Sequence, residues 1–258
     1  MAEYSIPNVS NDLSGQVALV TGTTSGLGKR FAQVIAASGA KVAVTGRRID
    51  RLEALAKEIN AAGGIAEPIQ LDMRDNESIM NCVDRAEEAL GTVTILVNNA
   101  GIPDAQRAHK MSLDLIDSVI DTNLRGPYVL SCEIARRLIT AEKPGRMVNI
   151  SSVGGFNYAG NGAALYSITK SAIVRMTECL AVEWARYNIN VNAIAPGAFS
   201  SEMMDGMLER LGDIAKHFPR KRICDPAQMD STLLYFLSPA SEAVTGTYIK
   251  IDDGQGSR

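Results

Sequence analysis

Cysteine is scarce in this chain. Four residues in 258, at Cys82, Cys132, Cys179 and Cys224, are scattered without a C-x-x-C pair. That excludes a disulfide framework or a metal-thiolate site, and the thiols read as reduced, structural groups of a cytoplasmic protein. Neither charge is in large excess: 26 Lys and Arg stand against 29 Asp and Glu, a net charge of −3. Without a basic field, nucleic acid is not an expected partner. No apolar run approaches the ~18 residues of a membrane span. The opening MAEYSIPNVSND lacks the basic start and apolar stretch of a signal peptide. Linkers, low-complexity tracts and fixed-period repeats are missing too. Residues 1–12 read as a loose N-terminal arm and residues 13–258 as a single domain.

What is present is an alternation of short apolar runs with helical patterns. Runs that read as strands are Val17–Thr21, Val42–Thr45, Ile65–Leu71, Val93–Val97, Arg146–Ile150, Ile189–Ile194 and Tyr248–Ile251. Pro68 weakens the third of them. Between them, apolar residues recur at helical spacing in Gly26–Ser38, Ile49–Ala62, Glu77–Leu90, Ser112–Ile120, Tyr128–Ile139, Ala163–Tyr187 and Pro226–Phe236. Strands of this kind need both faces covered. With right-handed crossovers, the pattern predicts an α/β fold: a doubly wound, Rossmann-like parallel sheet of about seven strands with helices on both faces.

The chemistry-bearing residues fall at strand ends. Gly22-Thr23-Thr24-Ser25-Gly26-Leu27-Gly28 joins the first strand to the first helix. Glycines there let backbone N–H groups and a helix N-terminus approach a pyrophosphate. The spacing is G-x-x-x-G-x-G rather than G-x-G-x-x-G. At the end of the second strand, an acid would bind the ribose diol of NAD, but the sequence offers Gly46 followed by Arg47. With no carboxylate to repel a 2′-phosphate and a guanidinium to fork onto it, NADP(H) is favoured over NAD(H). Arg47 and Arg48 can also be read as solvated charges at a helix start. Tyr166 and Lys170 are four residues apart on one helix face. A tyrosine near pKa 10 is a poor base, and a nearby ammonium favours its phenolate. Asn98-Asn99-Ala100-Gly101, Asn149-Ile150-Ser151-Ser152 and Pro196-Gly197 close the fourth, fifth and sixth strands, so all face one crevice.

Taken together, these residues resemble the short-chain dehydrogenase/reductase family in its compact form, from about Leu13 to Gly254. The resemblance implies an oxidoreductase that moves a hydride between a nicotinamide cofactor and a secondary alcohol or ketone. It implies Tyr166 as acid/base, with Lys170 lowering the tyrosine pKa and binding the nicotinamide ribose. Ser152 would hold the substrate oxygen, and Asn123 a water in the proton relay. It further implies Gly22, Ser25, Gly26, Leu27 and Gly28 at the pyrophosphate, and Asp72 with Met73 at the adenine. Asn98, Ala100 and Gly101 would pass under the adenosine, and Pro196, Gly197, Phe199 and Ser201 would lie near the carboxamide. No metal is implied.

Three departures from the family pattern are visible. Thirteen residues separate Ser152 from Tyr166, one more than in the commonest pattern, with the extra residue somewhere in Gly154–Ala164. Ser201 replaces a threonine. Asp252-Asp253-Gly254-Gln255 stands where D-G-G is expected. Residues 198–219, rich in Met203, Met204, Met207, Leu208 and Leu211, read either as a loop covering an apolar substrate or as a segment packing on its own core. Phe156, Asn157 and Tyr158 are the candidate opposite wall, and His109 and His217 read as surface residues. A cofactor-binding protein without turnover is the alternative function; a lyase or epimerase fits less well. Apolar surface on Ser112–Ile139 and Ala163–Tyr187 points to a homo-oligomer, a tetramer or a dimer.

Overall fold

A computed structural model of the chain describes residues 6–158, 160 and 162–256. Ala159 and Asn161, inside the segment expected to carry the extra residue, lie outside the described residues, as do residues 1–5 of the expected arm.

The seven strands are β1 (Val17–Thr21), β2 (Lys41–Gly46), β3 (Ile65–Gln70), β4 (Ile95–Asn98), β5 (Gly145–Ile150), β6 (Ile189–Pro196) and β7 (Tyr248–Ile251). They form one parallel sheet in the order β3-β2-β1-β4-β5-β6-β7. β1 is buried along its whole length, as a central strand covered on both faces must be. β3 is the edge strand beside β2, which is why Pro68 is tolerated: its missing N–H removes no bond from an interior ladder.

Helices α1 (Gly26–Ala37), α2 (Ile49–Ala61) and α8 (Asp230–Leu237) cover one face, around Phe31, Leu52 and Phe236. Helices α3 (Asn76–Leu90), α5 (Gly126–Thr140) and α6 (Ala164–Trp184) cover the other, around Ile79, Leu130 and Ile173. The helical patterns at Ser112–Ile120 and Tyr128–Ile139 belong to one continuous helical stretch: α4 (Leu113–Ile120) runs into α5 through a five-residue π-helical turn, Asp121–Arg125. Segment 198–219, expected as a loop with short helices, contains a ten-residue helix α7 (Glu202–Leu211), capped by Ser201 Oγ on the Met204 N–H.

The chain order reverses between β1 and β4, so their carboxyl ends open into the crevice typical of such sheets.

Candidate active site

The turn after β1 is shaped by close backbone approach. Gly22 has φ +71°, and a Cβ there would sit 2.9 Å from Ala100 Cα. A Cβ on Gly28 would sit 2.2 Å from the Gly22 carbonyl oxygen. The turn is clamped from β4: Asn99 Nδ2 donates to the carbonyls of Thr21 at 2.9 Å and Gly22 at 3.2 Å, while Asn99 N and Ala100 N donate to Thr21 Oγ1. The N-cap residue of α1, Ser25, makes no side-chain cap bond, and no acid lies in the first turn of the helix. A helix start without its own cap, fronted by a glycine turn, suits a phosphate. Sequence alone does not distinguish Asn99 from its neighbours in Asn98-Asn99-Ala100-Gly101; its clamp on the turn is a tertiary contact.

Several expected cofactor residues are engaged within the protein. Asn98 is buried, and its Nδ2 donates to Ser131 Oγ and Asn149 Oδ1 at 2.9 Å each. Met73 is core, and its carbonyl abuts Gly126. Leu27 packs against the core and Phe199 lies within it. Asp72 Oδ1 accepts from the Arg74 N–H. Of these, Asn98, Met73 and Phe199 have buried side chains.

Arg47 and Asp72 line a groove of about 680 Å³ with Gln70, Ser78 and Arg85. Arg48, rather than Arg47, reaches the glycine turn: its guanidinium donates to Thr24 Oγ1 at 2.6 Å and pairs with Glu202 at 3.0 Å. Arg51 also pairs with Glu202. The two guanidinium groups hold the Glu202 carboxyl down at about 2. Glu202 also bonds Ser25, so the start of α7 is tied to the glycine turn. Nothing local in the sequence signals these bonds, because Arg48 and Arg51 lie about 150 residues from Glu202.

The candidate catalytic residues converge. Asn123 is buried in the π-helical turn. Its Oδ1 accepts from Ile102 N at 2.8 Å, and its Nδ2 donates to the Ile102 carbonyl at 2.9 Å. Widened turns of this kind recur at functional sites. Lys170, also buried, donates its Nζ to the Ile150 carbonyl at 2.7 Å and lies 5.7 Å from the centre of the Tyr166 ring. A Cβ on Gly101 would be 3.4 Å from both Asn123 Oδ1 and Lys170 Nζ, which places Gly101 between the two. Ser152 hydrogen-bonds the Tyr166 hydroxyl and accepts from the Gly154 N–H at 3.0 Å.

Burial dominates the titration of this cluster. It lowers the Lys170 pKa to about 8. Tyr166 is partly exposed, yet desolvation raises its pKa; the Ser152 hydrogen bond opposes that rise and the Asp104 carboxylate adds to it. Desolvation of the phenolate thus outweighs the Ser152 hydrogen bond.

The last departure from the pattern has a structural reason. Asp253 stands at φ +54°, where a glycine is expected, and it pairs with Arg220 at 3.0 Å and Arg222 at 2.7 Å. Gln255 Oε1 accepts from Ala198 N at 2.7 Å, beside Gly197. The C-terminal segment thus packs beneath the chain leading to α7.

Comparison with known proteins agrees in extent with this geometry. Residues 16–211 match the family described as short chain dehydrogenase. The chain is 35% identical over 251 residues to oxidoreductase UcpA of Salmonella typhimurium, covering 94% of this chain and 95% of that protein. A short-chain type dehydrogenase/reductase from Mycobacterium marinum superimposes with a TM-score of 0.93 at 32% identity, covering 98% and 100% of the two chains. A short chain dehydrogenase from Burkholderia cenocepacia, crystallised in complex with NADP, gives 0.87 at 32% identity, covering 94% and 98%.

Proposed function

The chain belongs to the short-chain dehydrogenase/reductase family, and we propose that it is an NADP(H)-dependent oxidoreductase acting on a secondary alcohol or the corresponding ketone. The observation that carries this reading is the meeting of Tyr166, Ser152, Lys170 and Asn123 at the carboxyl edge of the sheet. Bound at the glycine turn, the nicotinamide cofactor supplies hydride transfer to or from the substrate carbon.

The protein's own part is positioning and one proton. Ser152 and Tyr166 hydrogen-bond the substrate oxygen, where negative charge develops. Tyr166 gives its phenolic proton to that oxygen in reduction and takes one from the alcohol in oxidation. Its raised pKa keeps it protonated and so ready for reduction at neutral pH. Lys170 and Asn123 flank Gly101 and replenish the proton from the protein side. The glycine turn, Asn99 and the start of α1 hold the pyrophosphate, and Arg47 or Arg48 holds the 2′-phosphate. α7 covers an apolar substrate; no residue of this helix is buried, so its Met203, Met207 and Leu211 are free to pack on a ligand.

No helix among the described residues is long and apolar enough to cross a membrane. Four free thiols fit a reducing, cytoplasmic setting.

The test is a pair of measurements. NADPH should bind more tightly than NADH in a fluorescence titration. Tyr166→Phe should then lower turnover of a ketone by roughly 10²- to 10⁴-fold and leave NADPH affinity unchanged. Undiminished turnover would remove the assigned mechanism. Nucleotide binding with no turnover of any carbonyl by the unsubstituted protein would favour the cofactor-binding alternative.

A further inference from the structure

The helix that carries Tyr166 begins without a cap of its own. Its N-cap residue is Ala163, whose side chain can accept no hydrogen bond. The first amides of a helix have no internal partner, and a buried start must find one elsewhere.

The partner is Asp104, 61 residues away from Leu165 in the loop that follows β4. Asp104 is 3% exposed. Its Oδ2 accepts from Leu165 N at 2.9 Å and from Tyr166 N at 3.2 Å. These are second- and third-position amides of the helix, the pair an N-cap side chain serves. Its Oδ1 accepts from Ala105 N at 2.9 Å, where the chain turns through φ +48°. A left-handed alanine is costly, and here it turns the loop so that both carboxylate oxygens are used. Two residues along, Gln106 pairs with Ala163. Two residues before Asp104, both backbone polar groups of Ile102 are held by Asn123. One short loop is therefore gripped by Asn123 at one end and grips the first turn of α6 at the other.

We propose that Asp104 is a positioning residue of the active site, a cap supplied from another segment that fixes the Tyr166 end of α6 relative to Asn123. The inference rests on Tyr166 being the acid/base. Three N–H donors and the positive end of the helix compensate a buried carboxylate well, so the arrangement is stable in itself. It also sets a charge beside the tyrosine. The groups facing Tyr166 are then Asp104 from the loop after β4, Ser152 from the end of β5, and Lys170 one turn on in α6.

The test compares Asp104→Asn, which keeps one acceptor oxygen but no charge, with Asp104→Ala, which keeps neither. Three readouts are needed: kcat and KM for a ketone, NADPH affinity, and the titration of Tyr166 itself. The last is followed by NMR of tyrosine labelled at Cζ, assigned with Tyr166→Phe, and needs no substrate. Asp104→Ala should lower kcat at least about tenfold with NADPH affinity unchanged, as misplacement of a reacting group does. Asp104→Asn should recover most of kcat, and its Tyr166 midpoint should fall by about half a pH unit or more once the repelling charge is gone. A merely structural cap would move thermal stability and leave that midpoint where it was.

An unmoved midpoint in Asp104→Asn overturns the proposal, and that variant decides the matter even if Asp104→Ala does not fold. Undiminished kcat in a folded Asp104→Ala overturns it equally. If no carbonyl is turned over by the unsubstituted protein but the midpoint still falls in Asp104→Asn, the proposed activity fails while the coupling of Asp104 to Tyr166 stands.

Discussion

The ammonium of Lys170 donates to the carbonyl oxygen of Ile150 at 2.7 Å, linking the second turn of α6 to the end of β5. Burial holds the Lys170 pKa at about 8 against an ordinary value of 10.5. Between those values the unfolded chain keeps a proton that the folded chain has released. The contribution of Lys170 to stability therefore rises with pH across this window and is least favourable below it. Urea unfolding of the unsubstituted protein and of Lys170→Met should show the difference shifting toward the unsubstituted protein between about pH 7.5 and about pH 9.5. A difference that stays flat with pH would contradict the assignment.

Cofactor preference divides between two adjacent arginines. Arg48 touches the glycine turn at Thr24, and Arg47 lines the groove beside Asp72. A charge-assisted bond to a 2′-phosphate is worth about 1.5–3 kcal/mol. Substituting the arginine that makes it should weaken NADPH binding by about tenfold or more and leave NADH binding nearly unchanged. Parallel titrations of Arg47→Ala and Arg48→Ala would identify which residue it is. Equal losses for both nucleotides would mean that neither arginine reads the 2′-phosphate.

Gly28→Ala should be costly, because the new Cβ would meet the Gly22 carbonyl oxygen at 2.2 Å. Backbone must shift to relieve that contact, so a loss of more than ~1 kcal/mol with impaired nucleotide binding is expected. Gly206→Ala on α7 is the control, since its Cβ would meet nothing within 4 Å. Alanine is the better helix former by about 0.8–1 kcal/mol, so that variant should be slightly stabilised. Thermal unfolding with and without NADPH measures both.

We propose assembly through the face formed by α5 and α6. Tyr128 is 48% exposed and Val182 82% exposed, and a groove between these helices is lined by Cys132, Ile139, Leu180 and Trp184. Covering this face in a homo-oligomer would remove apolar area from water. Light scattering should give a dimer or tetramer, and Val182→Glu should shift it toward smaller species. A monomer at working concentration would refute the expectation.

The sequence by itself determined the fold. Strand runs such as Val17–Thr21 and Ile189–Ile194 are apolar because a parallel sheet buries both faces, and that composition is local and readable. The convergence of Tyr166, Ser152 and Asn123 was also legible, since each lies at a fixed place relative to a strand end or helix turn, and the topology brings those places together. The π-helical form of the turn between α4 and α5 was not legible, because Asn123 within it is bonded to Ile102, which lies outside the helix. Nor was the direction of the Tyr166 shift, because desolvation depends on neighbours from several segments. The pairing of Glu202 with Arg48 and Arg51, the seat of Gln255 at Ala198 and the capping of α6 by Asp104 all join residues more than 50 positions apart. Local periodicity carries no trace of such contacts, and only the tertiary structure decided them.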